Sequence, residues 1–165
     1  MYDFKAGESL KKPELYRELS DAADALTSGE ADGIANMANV AALIWEFVPD
    51  LNWAGFYRMG SNAAGKEELV LGPFNGRPAC IRIPLGQGVC GVAAESGQTQ
   101  LVEDVHAFPG HIACDAASQS ELVVPIIQGE KVVAVIDLDS PQKGRFSEED
   151  AAGIETLAAI LAARI

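Results

Sequence analysis

No apolar run in the chain approaches the ~18 residues a membrane span needs. The amino-terminal stretch MYDFKAGESLKKPELYREL likewise lacks the apolar core of a secretory leader, so a cytoplasmic protein is expected. Basic residues are scarce: 12 Lys and Arg stand against 24 Asp and Glu, for a net charge of −12. A surface of that sign repels nucleic acids and anionic membranes, and neither is expected as a partner. Cysteine is rare too. Three residues, an odd number, argue against a structural disulfide framework in a reducing compartment, which leaves inert packing or reactive chemistry as reasons to keep them. Repeats and low-complexity tracts are absent. What is present is 48% apolar content over 165 residues, enough for one domain, 1–165, with a sizeable core.

Periodicity divides the chain. In PELYRELSDAADALTSG, Pro13 sits at a favoured first helical position, Leu15, Leu19, Ala22 and Leu26 recur three or four apart, and Gly29 stops the run. A second helix, EADGIANMANVAALIWEFV, places Ile34, Met37, Ala41, Ile44 and Val48 on one face and ends at Pro49, giving a helical part over about 13–48. The period then shortens. LNWAGFYRM, ELVLGPF and ACIRIPL read as strands, and GQGVCGVAAESGQTQLVEDV as a loop, a short helix over Val89 to Glu95 and another strand. ELVVPIIQGEKVVAVIDLDS reads as a hairpin around Gly129, and RFSEEDAAGIETLAAILAARI as a closing helix with Ser147 as N-cap, Asp150 as its box partner and Ile154, Leu157, Leu161 and Ile165 inward. The expected class is α+β, an antiparallel sheet with helices packed on one face.

Strand alternation sorts the chemistry. Ile81, Ile83 and Leu85 fall on one side of their strand, which leaves Cys80 and Arg82 on the other, away from the main core. In KVVAVIDLDS, Asp137 and Asp139 share a side with Val133 and Val135, while Val132, Ala134, Ile136 and Leu138 make an apolar face. The side taken by Glu121 depends on the turn. A three-residue loop, Gln128 to Glu130, sets Glu121 opposite Asp137 so that the carboxylates converge; a two-residue turn sends it to the other face unless Pro125 introduces a bulge. We expect convergence. Clustered carboxylates repel, so at least one has a raised pKa and is available as a proton donor near neutral pH.

The stretches NWAGFYR, LVLGPFNGRPACIRIPLGQGVCGVAA, VEDVHAFPGHIACDAASQSELVVPI and AVIDLDSP together resemble the free methionine-(R)-sulfoxide reductases, single-domain enzymes of the GAF fold. The resemblance covers roughly residue 30 to the end and includes all three cysteine contexts. It implies reduction of the R sulfoxide of free methionine, with thioredoxin as electron donor, no cofactor or metal, a homodimer and a place in oxidative-stress defence. Carried over residue by residue, Cys114 is the attacking thiol, Cys80 the resolving one, and Cys90 the third family position. Glu121, Asp137 and Asp139 match the acidic positions of the substrate pocket, and Trp53 and Tyr57 its aromatic wall.

The chemistry supplies reasons for such a set. A thiolate attacks a sulfoxide sulfur well only when the oxygen is protonated, so nucleophile and acid must face each other, and Glu121 or a nearby Asp can serve as the acid. Departure of methionine leaves a sulfenic acid, which a second thiol condenses to a disulfide that an external dithiol reduces. Asp137, Asp139 and Glu121 can hold the ammonium of a free amino acid. The helix beginning near Gly88 can hold its carboxylate, and Trp53 with Tyr57 can wall its methyl group. Rival readings exist. A zinc site from Cys80, Cys90, Cys114 and a histidine lacks CxxC or HxxxH spacing. A cysteine hydrolase built on Cys114 and His111 would need a nucleophile and base three apart to align. His106, His111 and Asp115 suit loop capping. The remaining alternative is a non-catalytic GAF-type module that binds a small molecule or senses oxidants.

Overall fold

The three long helices begin where a side chain or a proline settles the first turn. In the computed structural model, which describes residues 10–110 and 116–165, α1 (Lys12–Thr27) carries Pro13 in its first turn, and Glu14 accepts the backbone N–H of Lys11. The Asp32 carboxylate caps α2 (Gly33–Phe47) by accepting from Ile34 and Ala35 at 2.9 and 3.1 Å. Ser147 and Asp150 form the expected capping box at the start of α4 (Glu148–Leu161). Between α2 and α4 lie β1 (Trp53–Ser61), β2 (Glu67–Gly76), β3 (Arg82–Pro84), α3 (Gly88–Ser96), β4 (Gln100–Val102), β5 (Ser120–Gln128) and β6 (Lys131–Ser140). The six strands make one antiparallel sheet in the order β3-β2-β1-β6-β5-β4, with a three-residue strand at either edge.

The sheet separates two apolar layers. On one face α1, α2 and α4 bury Leu19, Ile44, Ile154, Leu157 and Leu161 against Phe56, Leu122, Ile136 and Leu138. On the other face α3 packs Val89, Cys90, Ala93 and Ala94 against Trp53, Tyr57, Val123 and Val135. From Ala134 to Leu138, sheet alternation therefore sends the even-numbered β6 residues to the three-helix layer and the odd-numbered ones to the layer under α3.

Four expectations need correction. Ile34 is 46% exposed: it stands in the first turn of α2, ahead of the first buried residues of the helix, Asn36 and Met37. Ile81 is 68% exposed: β3 starts only at Arg82, and a bend at residue 81 interrupts the alternation that would have turned it inward. Cys80, ahead of that bend, rests partly against the layer under α3. The hairpin turn holds two residues, with Gln128 opposite Lys131 and Gly129 at φ +64°, and the register slips between Ile126 and Ile127, which pair with Ala134 and Val132. The bulge thus falls at Val133, not at Pro125, and swaps the sides of Val132 and Val133: Val133 joins the three-helix layer and Val132 the layer under α3.

Candidate functional site

The same bulge brings the acids together. A two-residue turn with unbroken pairing would turn Glu121 away from Asp137; the one-residue slip restores the parity and sets Glu121 opposite Asp139, with Val123 opposite Asp137. All three carboxylates line a cleft of about 530 Å³, its mouth included, beneath α3. Glu121 and Asp137 are each 6% exposed and Asp139 is half-buried. Cys90 enters from α3, its thiol donating toward Glu121 Oε1 at 3.9 Å, and its sulfur, a Glu121 oxygen and an Asp137 oxygen all lie within 4.8 Å of one another.

Burial and like charge set the proton inventory. Desolvation pushes the Glu121 carboxyl well above the usual carboxylate range, and repulsion from Asp137 and Asp139 adds to it. Asp137 is raised by burial to about 7, held from going higher by hydrogen bonds with Cys90 and Glu121. The pair therefore shares a proton near neutral pH, residing on Glu121. Cys90 is pushed well above the ordinary thiol range by burial and then by Asp137 and Glu121, and Tyr57 is raised by burial and the same acids. Oδ1 of Asp137 is buried with no hydrogen-bond partner, an acceptor that a ligand donor would satisfy. A thiol and two carboxyls at this spacing can also chelate a metal ion, but all three would first have to release or share out their protons.

β1 supplies the aromatic wall. Trp53 and Tyr57 stack with ring centroids 5.8 Å apart, and Phe74 of β2 lies on Trp53 at 5.2 Å and 13°. Trp53 Nε1 donates to the Arg77 carbonyl at 3.2 Å, which fixes the indole plane. Gly55 makes this stack possible, since a Cβ there would fall 2.4 Å from the Phe74 Cβ. At the opposite wall Gln87, Gly88 and Val89 bring the first turn of α3 to the cleft, and no side chain caps it.

The structure thus joins Trp53, Tyr57, Cys90, Glu121, Asp137 and Asp139 in one cleft. Cys80 is disulfide-bonded and Cys90 is a free thiol. Cys114, His111 and Asp115 lie outside the described residues. His106 is exposed in a short 3₁₀ turn, Val105–Ala107, away from the cleft lining. Sequence reasoning missed Phe74, Arg77 and Ser118. Phe74 lay in a recognised strand, but its place on Trp53 depends on a register slip in β1 between Gly55 and Tyr57. Ser118 reaches the site through the Asn52 amide, which donates to its hydroxyl at 3.0 Å, a long-range contact without a local signal.

Residues 35–165 match the GAF domain family model. The free methionine-R-sulfoxide reductase of Escherichia coli is 47% identical over 152 residues, 92% of this chain and 89% of that protein. The yeast enzyme of the same name is 40% identical over 158 residues, 93% and 87% of the two chains. The solved structure of the Neisseria meningitidis free methionine-R-sulfoxide reductase, in complex with its substrate, superposes with a TM-score of 0.91 at 41% identity, covering 99% of this chain and 95% of that one. Among the described residues no helix is long and apolar enough to cross a membrane. The likeness extends over nearly the whole length of each relative, and the chain belongs to the free methionine-R-sulfoxide reductase family of GAF-domain proteins.

Proposed function

We propose that this chain, acting as one catalytic unit over residues 1–165, reduces the R sulfoxide of free L-methionine by cysteine chemistry. The observation that carries the reading is the buried, proton-sharing Glu121–Asp137 pair facing the Trp53–Tyr57 wall across one cleft. The substrate ammonium takes Asp137 and Asp139, satisfying the unpartnered Asp137 Oδ1. Its carboxylate takes the uncapped N–H groups at the start of α3. The S-methyl group lies against the indole. A residue within a peptide has neither charged end, so the cleft excludes it.

In the reaction the Cys114 thiolate attacks the sulfoxide sulfur while Glu121 delivers a proton to its oxygen. In the adduct so formed the protonated oxygen passes from the substrate sulfur to the Cys114 sulfur, the substrate S–O bond and the transient S–S bond break, and methionine leaves with Cys114 as a sulfenic acid. The Cys80 thiol attacks that sulfur, releasing water and forming a disulfide. A thioredoxin dithiol then reduces it by exchange, so the net change is sulfoxide plus dithiol to methionine, water and disulfide. The disulfide-bonded state of Cys80 supports its resolving role. Thioredoxin as donor, cytoplasmic residence, a role under oxidative stress and assembly as a homodimer rest on the family resemblance.

The test is NADPH consumption with thioredoxin and thioredoxin reductase, supplying the R and S sulfoxides of free methionine separately and an R-sulfoxide peptide. Turnover confined to the free R form is expected. No turnover with any of them would move the reading to a ligand-binding GAF module.

A further inference from the structure

We propose that Cys90 is a positioning residue of the acid cluster and not a redox thiol: its S–H, held under the sheet by α3, fixes Glu121 against Asp137 on the floor of the cleft. The meaning of this for catalysis rests on the function proposed above; the contact itself does not.

Three observations converge. First, Cys90 is a free thiol in a molecule whose Cys80 is already disulfide-bonded, so a disulfide forms without it. Second, Cys90 is 4% exposed, and a dithiol reductant must bring its own sulfur into line with the bond it breaks. Third, α3 cannot slide to deliver the sulfur elsewhere. A Cβ on Gly91 would fall 2.5 Å from the Pro84 carbonyl oxygen, and Gly86 donates to the Gly91 carbonyl at 2.9 Å, so the helix is locked to the loop that precedes it.

The groups facing the sulfur come from every packed element: Glu121 of β5, Asp137 and Asp139 of β6 and Tyr57 of β1, with Arg77 at the exposed mouth. Burial among these acids keeps the thiol protonated, and the thiolate is the nucleophilic form. A neutral S–H remains a donor while Asp137 titrates at about 7. Donation favours the ionised carboxylate, and it opposes the raising effect of burial on both Glu121 and Asp137. Cys90 thus keeps the pair at the point where one acid holds the proton and the other can receive a cation.

The test needs no turnover: ¹³C-carboxyl NMR titration of wild type, Cys90→Ala and Cys90→Ser, the pair assigned with Glu121→Gln. In Cys90→Ala the midpoint is expected to move up by about 0.5–1 pH unit, the size of one hydrogen bond to the charged form, and in Cys90→Ser to return toward wild type. An unmoved midpoint in Cys90→Ala would overturn the proposal, since packing alone lowers melting temperature without shifting a titration. Wild type given one equivalent of methionine R-sulfoxide without reductant, then alkylated after denaturation and peptide-mapped, should show Cys90 as a free thiol. Cys90 in a disulfide would overturn the proposal even if the Ala variant failed to fold. Absence of sulfoxide consumption by wild type would instead strike the proposed function, leaving the titration to decide on Cys90.

Discussion

Glu121 and Asp137 are both carboxyls, both nearly inaccessible, and the difference between them lies in what each receives from its neighbours. Asp139 repels Glu121 directly opposite it, while Asp137 gains from both Cys90 and Glu121. In the proposed reaction this makes Glu121 the acid and Asp137 the cation acceptor. Glu121→Gln should lower kcat about 10²-fold or more, the usual contribution of a positioned acid, with a smaller change in KM. Asp137→Asn should raise KM chiefly. It should also stabilise the fold at alkaline pH. The Asp137 carboxyl titrates at about 7 when folded and near 4 when unfolded, so the folded state binds its proton more tightly. Its contribution to stability is full below about pH 4 and is lost as pH rises through about 7, so thermal melts of Asp137→Asn at pH 8 should exceed wild type. Among the cysteines, Cys114→Ser should abolish turnover, whereas Cys80→Ser should complete about one turnover and fail with thioredoxin. Full multiple turnover in Cys80→Ser would remove its resolving role.

At the level of elements, the fold depends on where α4 crosses α1. Asp150 sits there, 1% exposed, accepting from Tyr16 Oη at 2.7 Å, Lys12 Nζ at 2.5 Å and the Ser147 backbone at 2.7 Å. Burial works against its ionisation, yet hydrogen bonds from Lys12, Tyr16 and Ser147 outweigh it and hold the carboxyl at about 2. This stabilisation is present above about pH 4 and lost as pH falls through about 2, the opposite sense to Asp137. Asp150→Ala leaves the Tyr16 hydroxyl unpaired and should cost about 3 kcal/mol in denaturant unfolding. Gly153 lets the two helices approach, since a Cβ there would fall 2.2 Å from the Tyr16 ring, and Gly153→Ala should cost about 1–3 kcal/mol by overpacking. The capping box that positions Asp150 was legible in SEED-type spacing at the start of the helix, because capping is local. The hairpin was legible only in part. Gly129 marked the turn, but no local signal marks the bulge at Val133, which sets Val133 against one apolar layer and Val132 against the other. Ile81 misled because the chain bends at that residue, which breaks the side-to-side alternation.

Over the whole molecule, the sheet divides stability from chemistry. The three-helix face holds the larger core and was readable from helical periodicity, as were the element order and the α+β class. The cleft was readable residue by residue for its acids and aromatics, because polar groups within apolar strands are conspicuous, but Phe74 and Ser118 enter only through tertiary contacts. A cluster of acids facing an uncapped helix start should make the protein respond to ligand as a unit. Free methionine at about 100 times its dissociation constant should add ~2.7 kcal/mol and raise the melting temperature, while N-acetylmethionine, lacking the ammonium, should add little.

The sheet also ends abruptly on both sides. β3 and β4 span three residues each, and β4 pairs only with residues 121–123 of β5, so from Val124 onward no described strand lies beyond it. Proline at position 125 has no N–H to offer there, which leaves an incoming strand short of a donor. A protein whose acid cluster carries a standing energetic cost is thereby guarded against fibrillar self-association when it opens. Pro125→Thr would restore the donor, and faster thioflavin-positive aggregation on mild heating is the expected consequence.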